Sequence, residues 1–572
     1  MTIAPWIAAL NAAVASSYPA ETAALFDPGG FWRDFLALDW TLQTVEGAEE
    51  IGAFAARQGP GAGFKAVSLA TDPGASEGFI SFETTLGRGR GYVRLKDGRC
   101  LTLLTALEEL KGHEEPLRQR RRTGLYDDPH GRNWKERLET KTDAYAEGAA
   151  PYVLIVGGGQ AGLALGARLE MLGVPYLIVD KHPRVGDQWR SRYKALTLHD
   201  PVWYDHLPYM PFPDFWPVFT PKDKMGDWLE SYAHALELAV WTRTECTGAR
   251  YDADSGTWTV ELDRDGTPIT LRPAQLVMAV GNAGFPRTPQ IEGQAEFTGP
   301  QMHSSQFTSG EAYAGKRVIV VGGNNSAHDI AADLVQNGAA PVLIQRSPTL
   351  IVRMTTMTDV LLKPVFSQDA VDRGISTDLA DLLLASNPLR LQEVNSRRTW
   401  DQIRQDEAPF YKALADTGFL VGFGADGAGL MAYQRAASGY YIDVGACQMV
   451  MDGRIALRSG KGIARILPGG MELEGGEVLE ADAIVYATGF GSMEEWVARL
   501  IDPATAERVG RCWGYGSGTP GDPGPWQGEL RNMWKPTAQP GLWFMGGNLA
   551  QGRFYSGLLG LQLKARFEGI AA

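Results

Sequence analysis

The chain has 572 residues, too many for one compact core at ~100–200 residues per domain, so three or four units are expected. A hydrophobic fraction of 44% with 21% charged residues is ordinary globular composition, and the formal net charge of -13 argues against nucleic acid or an anionic membrane as partner. The four cysteines, Cys100, Cys246, Cys447 and Cys512, form no CxxC and no metal-ligand spacing, which excludes a disulfide framework and a cysteine metal site and fits a reducing compartment.

The first twenty residues are mildly apolar but lack a basic flank, and Glu21 follows closely, so they are not read as a signal peptide. No run approaches ~18 consecutive apolar residues, so no membrane span is expected and a cytoplasmic location is the default. Residues 1–112 read as a small α+β unit. Helical periodicity marks 19–26, 31–40 and 49–57, and strand patterns mark 64–69, 78–85, 91–96 and 99–107. The last two strands are joined by Asp97-Gly98, a turn pair that tolerates positive φ. Helices followed by an antiparallel meander resemble the NTF2-like (SnoaL-like) cone fold. The unit carries no catalytic motif, which suits an accessory module packed near an active-site cleft or making an oligomer contact. Residues 113–150 read as a polar linker. Its Arg118, Arg120, Arg121 and Arg122, with His130, Asn133 and Trp134 beyond, are a solvated charge run or, alternatively, a contact to a cofactor phosphate.

At Pro151 buried-strand patterning begins. The run 152–156 leads into glycines and a helical stretch, and the same pattern returns at 317–321. VLIVGGGQAGLALGARL and VIVVGGNNSAHDIAADL align as two copies of one βα unit. In the first, Gly157 permits the tight turn, Gly159 lets the backbone approach a pyrophosphate, and Gly162 lets helix and strand pack closely. Gln160 and Ala161 open the helix whose free N–H groups face the phosphates. A second strand, 175–179, ends in Asp180, placed to bind ribose hydroxyls, with Lys181 beside it. In the second unit, Gly322 and Gly323 are followed by Asn324 at the second-glycine position, then Asn325, Ser326 and Ala327. The next strand, 341–344, ends in Gln345, Arg346 and Ser347 instead of an acid. An arginine beside a hydroxyl suits a 2′-phosphate, so NADPH is expected over NADH.

Before the second unit stands Phe297-x-Gly299-x-x-x-His303-x-x-x-Phe307. This string resembles the fingerprint of class B flavin-dependent monooxygenases, and its terminal Phe resembles the flavin-containing and YUCCA-like branch. Gly186-Asp187-Gln188-Trp189 with Arg192 and Tyr193, Gly281-Asn282 with Pro286 and Pro289, Ala487-Thr488-Gly489-Phe490, and 541–547 with Ser556 and Gln562 agree with it. The resemblance covers most of 151–572. It implies an enzyme that binds FAD through Gly157, Gly159, Gln160, Ala161, Gly162, Asp180, Lys181, Gln188, Trp189 and His199. NADPH would lie on Gly322, Asn324, Asn325, Ser326, Ala327, Arg346 and Ser347, with Gly489 and Gln562 as further cofactor contacts. His303 is expected to anchor the interdomain linker. The functional Asn of the classical members is missing from Leu198-His199-Asp200-Pro201, so Asn325, His199 and Asp200 are the candidates for assisting the oxygen chemistry. The aromatic stretch 202–219 either walls a substrate channel or caps the first domain.

The expected fold class is therefore α/β: an FAD domain in two pieces, 151–308 and 470–572, an NADPH domain inserted at 309–469, and the N-terminal α+β unit. Strands 483–487 and 542–545 are expected to return to the FAD sheet. The reaction implied is NADPH-driven transfer of one oxygen atom from O2 to a small organic substrate through a C4a-(hydro)peroxyflavin, N- or S-oxygenation ahead of decarboxylating oxygenation of an aryl 2-oxo acid or Baeyer–Villiger oxidation. A dithiol reductase with the same paired folds needs a CxxC to relay electrons, and none is present; a non-catalytic dinucleotide sensor stays open. No metal is expected; a homo-oligomer is allowed.

Overall fold

The computed structural model describes every residue except 1, 70, 71, 73, 125–129, 282, 283 and 572; Asn282 of the family pattern lies outside the described residues. The N-terminal unit comprises α1 (Ile3–Ser16), α2 (Pro19–Ala23), β1 (Phe26–Phe35), β2 (Leu42–Glu46), α3 (Ala48–Ala62), β3 (Lys65–Ser68), β4 (Glu77–Glu83), β5 (Gly87–Lys96) and β6 (Arg99–Leu110). The six strands form one sheet in the order β2-β1-β6-β5-β4-β3, with only the β1–β6 pair parallel. Helices α1 and α3 cover one face, burying Trp6, Leu10, Ile51 and Phe54 around Trp32. The helix expected over 31–40 is wrong: those residues supply the end of β1 and the bend after it. A short run buried on both faces has no period that separates a strand from a helix turn. Asp97 and Gly98, at φ 50° and 80°, make the expected turn between β5 and β6.

The second part opens with β7 (Val153–Val156), α4 (Gln160–Leu172), β8 (Tyr176–Val179), β9 (Val240–Trp241) and β10 (Gln275–Met278). It continues with β11 (Gln301–His303), β12 (Arg317–Val321), α5 (Asn325–Gln336) and β13 (Ala340–Gln345). Then come α6 (Thr377–Ala385), α7 (Leu389–Asp406), β14 (Ala456–Ser459), β15 (Ala483–Tyr486), β16 (Leu542–Phe544) and α8 (Leu549–Phe567). Two parallel sheets result, β16-β10-β7-β8-β9 and β11-β15-β12-β13-β14. One expectation fails here. β16 returns to the first sheet, but β15 pairs with β12 in the second. Gly157 and Gly322 explain why. A Cβ on Gly157 would stand 2.4 Å from the Ala279 carbonyl oxygen after β10, and one on Gly322 would stand 2.3 Å from that of Ala487 after β15. Each glycine turn needs a neighbouring parallel strand against it, and β15 is the second unit's counterpart of β10.

Between β13 and β14 the chain inserts a helical layer with its own three short strands, Val421–Gly422, Thr349–Arg353 and Tyr440–Asp443. The N-terminal unit docks where this layer meets the C-terminal segment. Arg33 donates to both Glu529 oxygens at 2.6 Å and to the carbonyls of Ala385 and Asn387 at 2.7 and 3.2 Å. Thr44 also donates to Glu529, and Glu46 accepts from Trp526 and Arg390. Among the described residues no helix is long and apolar enough to cross a membrane.

Candidate active site

Each nucleotide cradle follows from its loop. Gly157 turns at φ 112°, and a Cβ on Gly162 would press to 2.0 Å from the Gly157 carbonyl, so both positions are closed to side chains. Gly159 differs. A Cβ there meets only Gln188 Nε2, at 3.5 Å, so its backbone faces open space at the uncapped start of α4. A free helix N-terminus of this kind fits a pyrophosphate. Gln160 lines the cavity described below and Ala161 is buried in the packing beneath it. Asp180 ends β8, accepting from the Gly158 N–H at 2.6 Å and from the His182 N–H and ring at 2.8 Å. Burial works against its charge, but these donors prevail and hold the carboxyl below its usual range. Lys181 is exposed. Beside the cradle, Gln188 Nε2, Trp189 Nε1 and Arg192 Nε are buried with no partner among the described residues. Buried donors seek acceptors. Gln188 at the open glycine turn, with Trp189 and Arg192 on the adjoining cavity, fits a flavin nucleotide, whose phosphates and ring carbonyls are acceptors.

The second cradle repeats the plan with changes. Gly322 turns at φ 147°. Asn324, at the second-glycine position, is exposed and in extended backbone, so its side chain leaves the turn open. Asn325 and Ser326 at the start of α5 line the cavity; Asn325 Oδ1 accepts from the Ile442 N–H at 2.9 Å, which fastens the cradle to the helical layer. Ala327 is buried. Arg346 and Ser347 stand exposed at the end of β13, while Gln345 is buried and bonded to Leu420. This open arginine-hydroxyl pair fits an NADP phosphate.

Both helix starts open into one cavity of about 870 Å³. Trp189, Arg192, Leu198, His199 and Asp200 wall it from the first domain, Tyr433, Tyr440 and Leu430 from the helical layer, Phe554 and Tyr555 from α8, and Arg33 from the N-terminal unit. The structure thus brings together Gln160, Trp189, His199, Asp200, Asn325 and Ser326. Burial raises the Asp200 carboxyl, with His199 opposing. Asp205, also in the wall, is raised well above the usual range by burial and then by Asp200, against the pull of Arg553. Gln562 is not brought to the cavity: it is fully buried inside α8 and donates to the carbonyls of Trp534 and Leu558. Gly489 serves His303, whose Nε2 lies 2.9 Å from its carbonyl oxygen while Nδ1 lies 2.9 Å from Ser305 Oγ. The stretch 202–219 divides. Tyr204 and Asp205 wall the cavity, whereas Phe212 is buried in the core and stacks at 5.0 Å on half-buried Trp216. Arg118, Arg120, Arg121 and Arg122 are exposed, and Arg120 pairs with Glu109.

Sequence reasoning missed Arg33, Asp205, Tyr433 and Tyr440. Asp205 carried a signal, a lone acid in an aromatic-proline stretch; the others come from segments with no motif. All four cysteines are free and buried, so a dithiol relay has no thiols to use.

The sequence profile of the family described as "Pyridine nucleotide-disulphide oxidoreductase" matches residues 154–425. A protein of Oryza sativa subsp. japonica named indole-3-pyruvate monooxygenase YUCCA1 is 38% identical over 198 residues, which is 34% of this chain and 48% of that protein. One of Arabidopsis thaliana named probable indole-3-pyruvate monooxygenase YUCCA1 is 30% identical over 346 residues, 59% of this chain and 75% of that protein. Among solved structures, cyclohexanone monooxygenase with bound ε-caprolactone superposes with a TM-score of 0.50 at 16% identity, covering 74% of this chain and 86% of that one, a likeness of fold. With two cradles on one cavity, no thiol relay and this identity across three quarters of the plant protein, the chain belongs to the class B flavin-dependent monooxygenases, enzymes that work with FAD and NADPH.

Proposed function

We propose that this enzyme adds one oxygen atom to a nucleophilic nitrogen or sulfur of a small organic substrate held in the cavity between the two cradles. The single observation that carries the reading is that both helix starts, with the partnerless donors of Trp189 and Arg192, open into one space, while that of Gln188 stands beside Gly159. FAD would lie along Gly157, Gly159 and Gly162 with Asp180 at its ribose; NADPH would lie on the 322–327 turn with Arg346 and Ser347 at its 2′-phosphate. Bound together, the two cofactors supply the electrons and the activated oxygen. The chain's own residues orient and seal. Trp189 and Gln188 fix the flavin edge, Asn325 ties the NADPH turn to the helical layer, and His303 braces the linker between the domains. The aromatic wall keeps water from the reacting atoms. His199 and Asp200 are the titratable groups placed to move a proton there.

The N-terminal unit, on this reading, is an NTF2-like accessory domain: its strand order with one parallel pair and its helices on one face support that, and it closes one side of the cavity without chemistry of its own. A second reading, decarboxylating oxygenation of an aryl 2-oxo acid, is favoured by the names of the plant relatives. The test is to incubate the enzyme with NADPH, O2 and a panel of amines, sulfides and aryl 2-oxo acids, and to weigh the products. An amine or sulfide gaining one oxygen is expected. A product only from the 2-oxo acid, shortened by one carbon, moves the assignment to the second reading.

A further inference from the structure

We propose that the cavity recognises a substrate bearing a protonated amine, with Asp205 as the residue that receives it and Asp200 beside it, and that it disfavours a carboxylate. The proposal rests on the oxygenation reading of the same cavity. Five acids line the space: Asp200, Asp205, Asp329, Asp381 and Glu529. Two are neutralised. Arg33 holds Glu529 in a two-bond pair, and Arg553 holds Asp381 at 2.7 and 2.8 Å. Asp329 accepts the Tyr193 hydroxyl at 2.6 Å. Asp200 and Asp205 face the cavity with no ion-pair partner among the described residues. Of the lining cations only Arg192 stands outside an ion pair among those residues, and it lies three positions past Trp189, on the nucleotide side.

Asp205 is 1% exposed, and its Oδ2 has no hydrogen-bond partner among the described residues. The nearest cation does not serve it: Arg553 spends its donors on Asp381 and on the carbonyls of Tyr204 and His206. A buried acceptor without a donor is a costly arrangement in a folded protein. An ammonium N–H entering the cavity removes that cost, and the rings of Tyr204, Tyr433 and Tyr440, which line the same cavity, add aromatic surface for a cation. A carboxylate entering instead meets two acids in a low-dielectric space.

The same placement solves a chemical difficulty. A protonated amine has no lone pair to accept oxygen. Transfer of its proton to the Asp205 carboxylate breaks N–H and forms O–H, changes no oxidation state and leaves a neutral amine with its lone pair free. Burial and the neighbouring Asp200 raise the Asp205 carboxyl, the direction that favours taking a proton, while Arg553 opposes; His199, Tyr204, His206, Asp381, Tyr433 and Tyr440 are titratable groups around the pair.

The test uses the full-length enzyme loaded with FAD and NADP+ and three probes of one shape: N,N-dimethylbenzylamine, benzyl methyl sulfide and phenylpyruvate. Calorimetric titration should show the amine binding at least ~10-fold more tightly than phenylpyruvate. In Asp205→Asn the amine-to-sulfide affinity ratio should fall by ~10-fold or more. If that variant does not fold, the wild-type ranking of the three probes decides. Tighter binding of phenylpyruvate than of the amine overturns the proposal, as does an unchanged ratio in a folded variant. Selective amine binding with no oxygenated product from any probe would count against the oxygenation reading while leaving the recognition site in place.

Discussion

Single residues carry the cofactor assignments, and two of them give clean tests. Gly159 sits at φ -76°, and a Cβ added there would come no closer than 3.5 Å to any protein atom, so the fold accepts a side chain at this position. The flavin does not, because that side chain would occupy the pyrophosphate position. Gly159→Leu should therefore purify folded but colourless; a fully yellow variant contradicts the assignment. Gly157 and Gly162 would give no such contrast, since backbone oxygens block a Cβ at both. Arg346 is exposed at the end of β13, where a charge-assisted bond to a 2′-phosphate is worth about 1.5–3 kcal/mol. Arg346→Ala should raise the KM for NADPH roughly tenfold and leave that for NADH little changed. Equal losses for both would make the arginine structural. The glycine turns were legible because local spacing defines them. Arg33 and Tyr440 were not, because nothing near them in sequence says that a tertiary fold will bring them to one cavity.

At the scale of elements, the two βα units were legible because each is a short buried strand, a glycine turn and a helix in unbroken succession. Strand β15 was misassigned because its partner depends on which glycine turn it packs against, and that is a contact with Gly322, far earlier in the chain. β1 was misread as a helix for a related reason. Its Asp34 is fully buried, accepting from the Leu38 N–H at 3.1 Å and from Thr105 Oγ1 at 2.7 Å, the latter a contact that only the finished sheet supplies. Burial is the largest influence on this carboxyl and lifts it to about 7 from an ordinary 3.8, despite those donors. The folded state thus binds the proton more tightly than the unfolded chain. The contribution to stability is complete below about pH 4 and is lost as pH rises towards about 7. Wild type and Asp34→Asn should therefore show unfolding temperatures whose difference shifts against the wild type between those pH values. A difference flat across the interval would mean that Asp34 is ionised in the fold.

For the whole molecule, the N-terminal unit is part of the cavity and is held by a charge pair that spans nearly the full chain. Arg33 and Glu529 are 3% and 4% exposed. Removing one partner of such a buried pair strands the other charge and typically costs about 3–5 kcal/mol. Arg33→Met should destabilise the enzyme by about that much and raise the KM for the organic substrate, while Arg33→Met with Glu529→Met recovers most of the stability. A double variant no more stable than the single one would show that the carbonyl contacts to Ala385 and Asn387, not the pair, hold the unit in place.

The central claim, that the two cradles cooperate to place one atom of O2 on a substrate, is tested most directly with isotopic oxygen. The enzyme is given NADPH, ¹⁸O2 and an amine or sulfide it accepts, and product, water and NADPH consumption are measured together. One labelled atom in the product, the second in water, and one NADPH used per product are predicted. NADPH consumed with stoichiometric hydrogen peroxide, and no label in any product across amines, sulfides, ketones and 2-oxo acids, would contradict it.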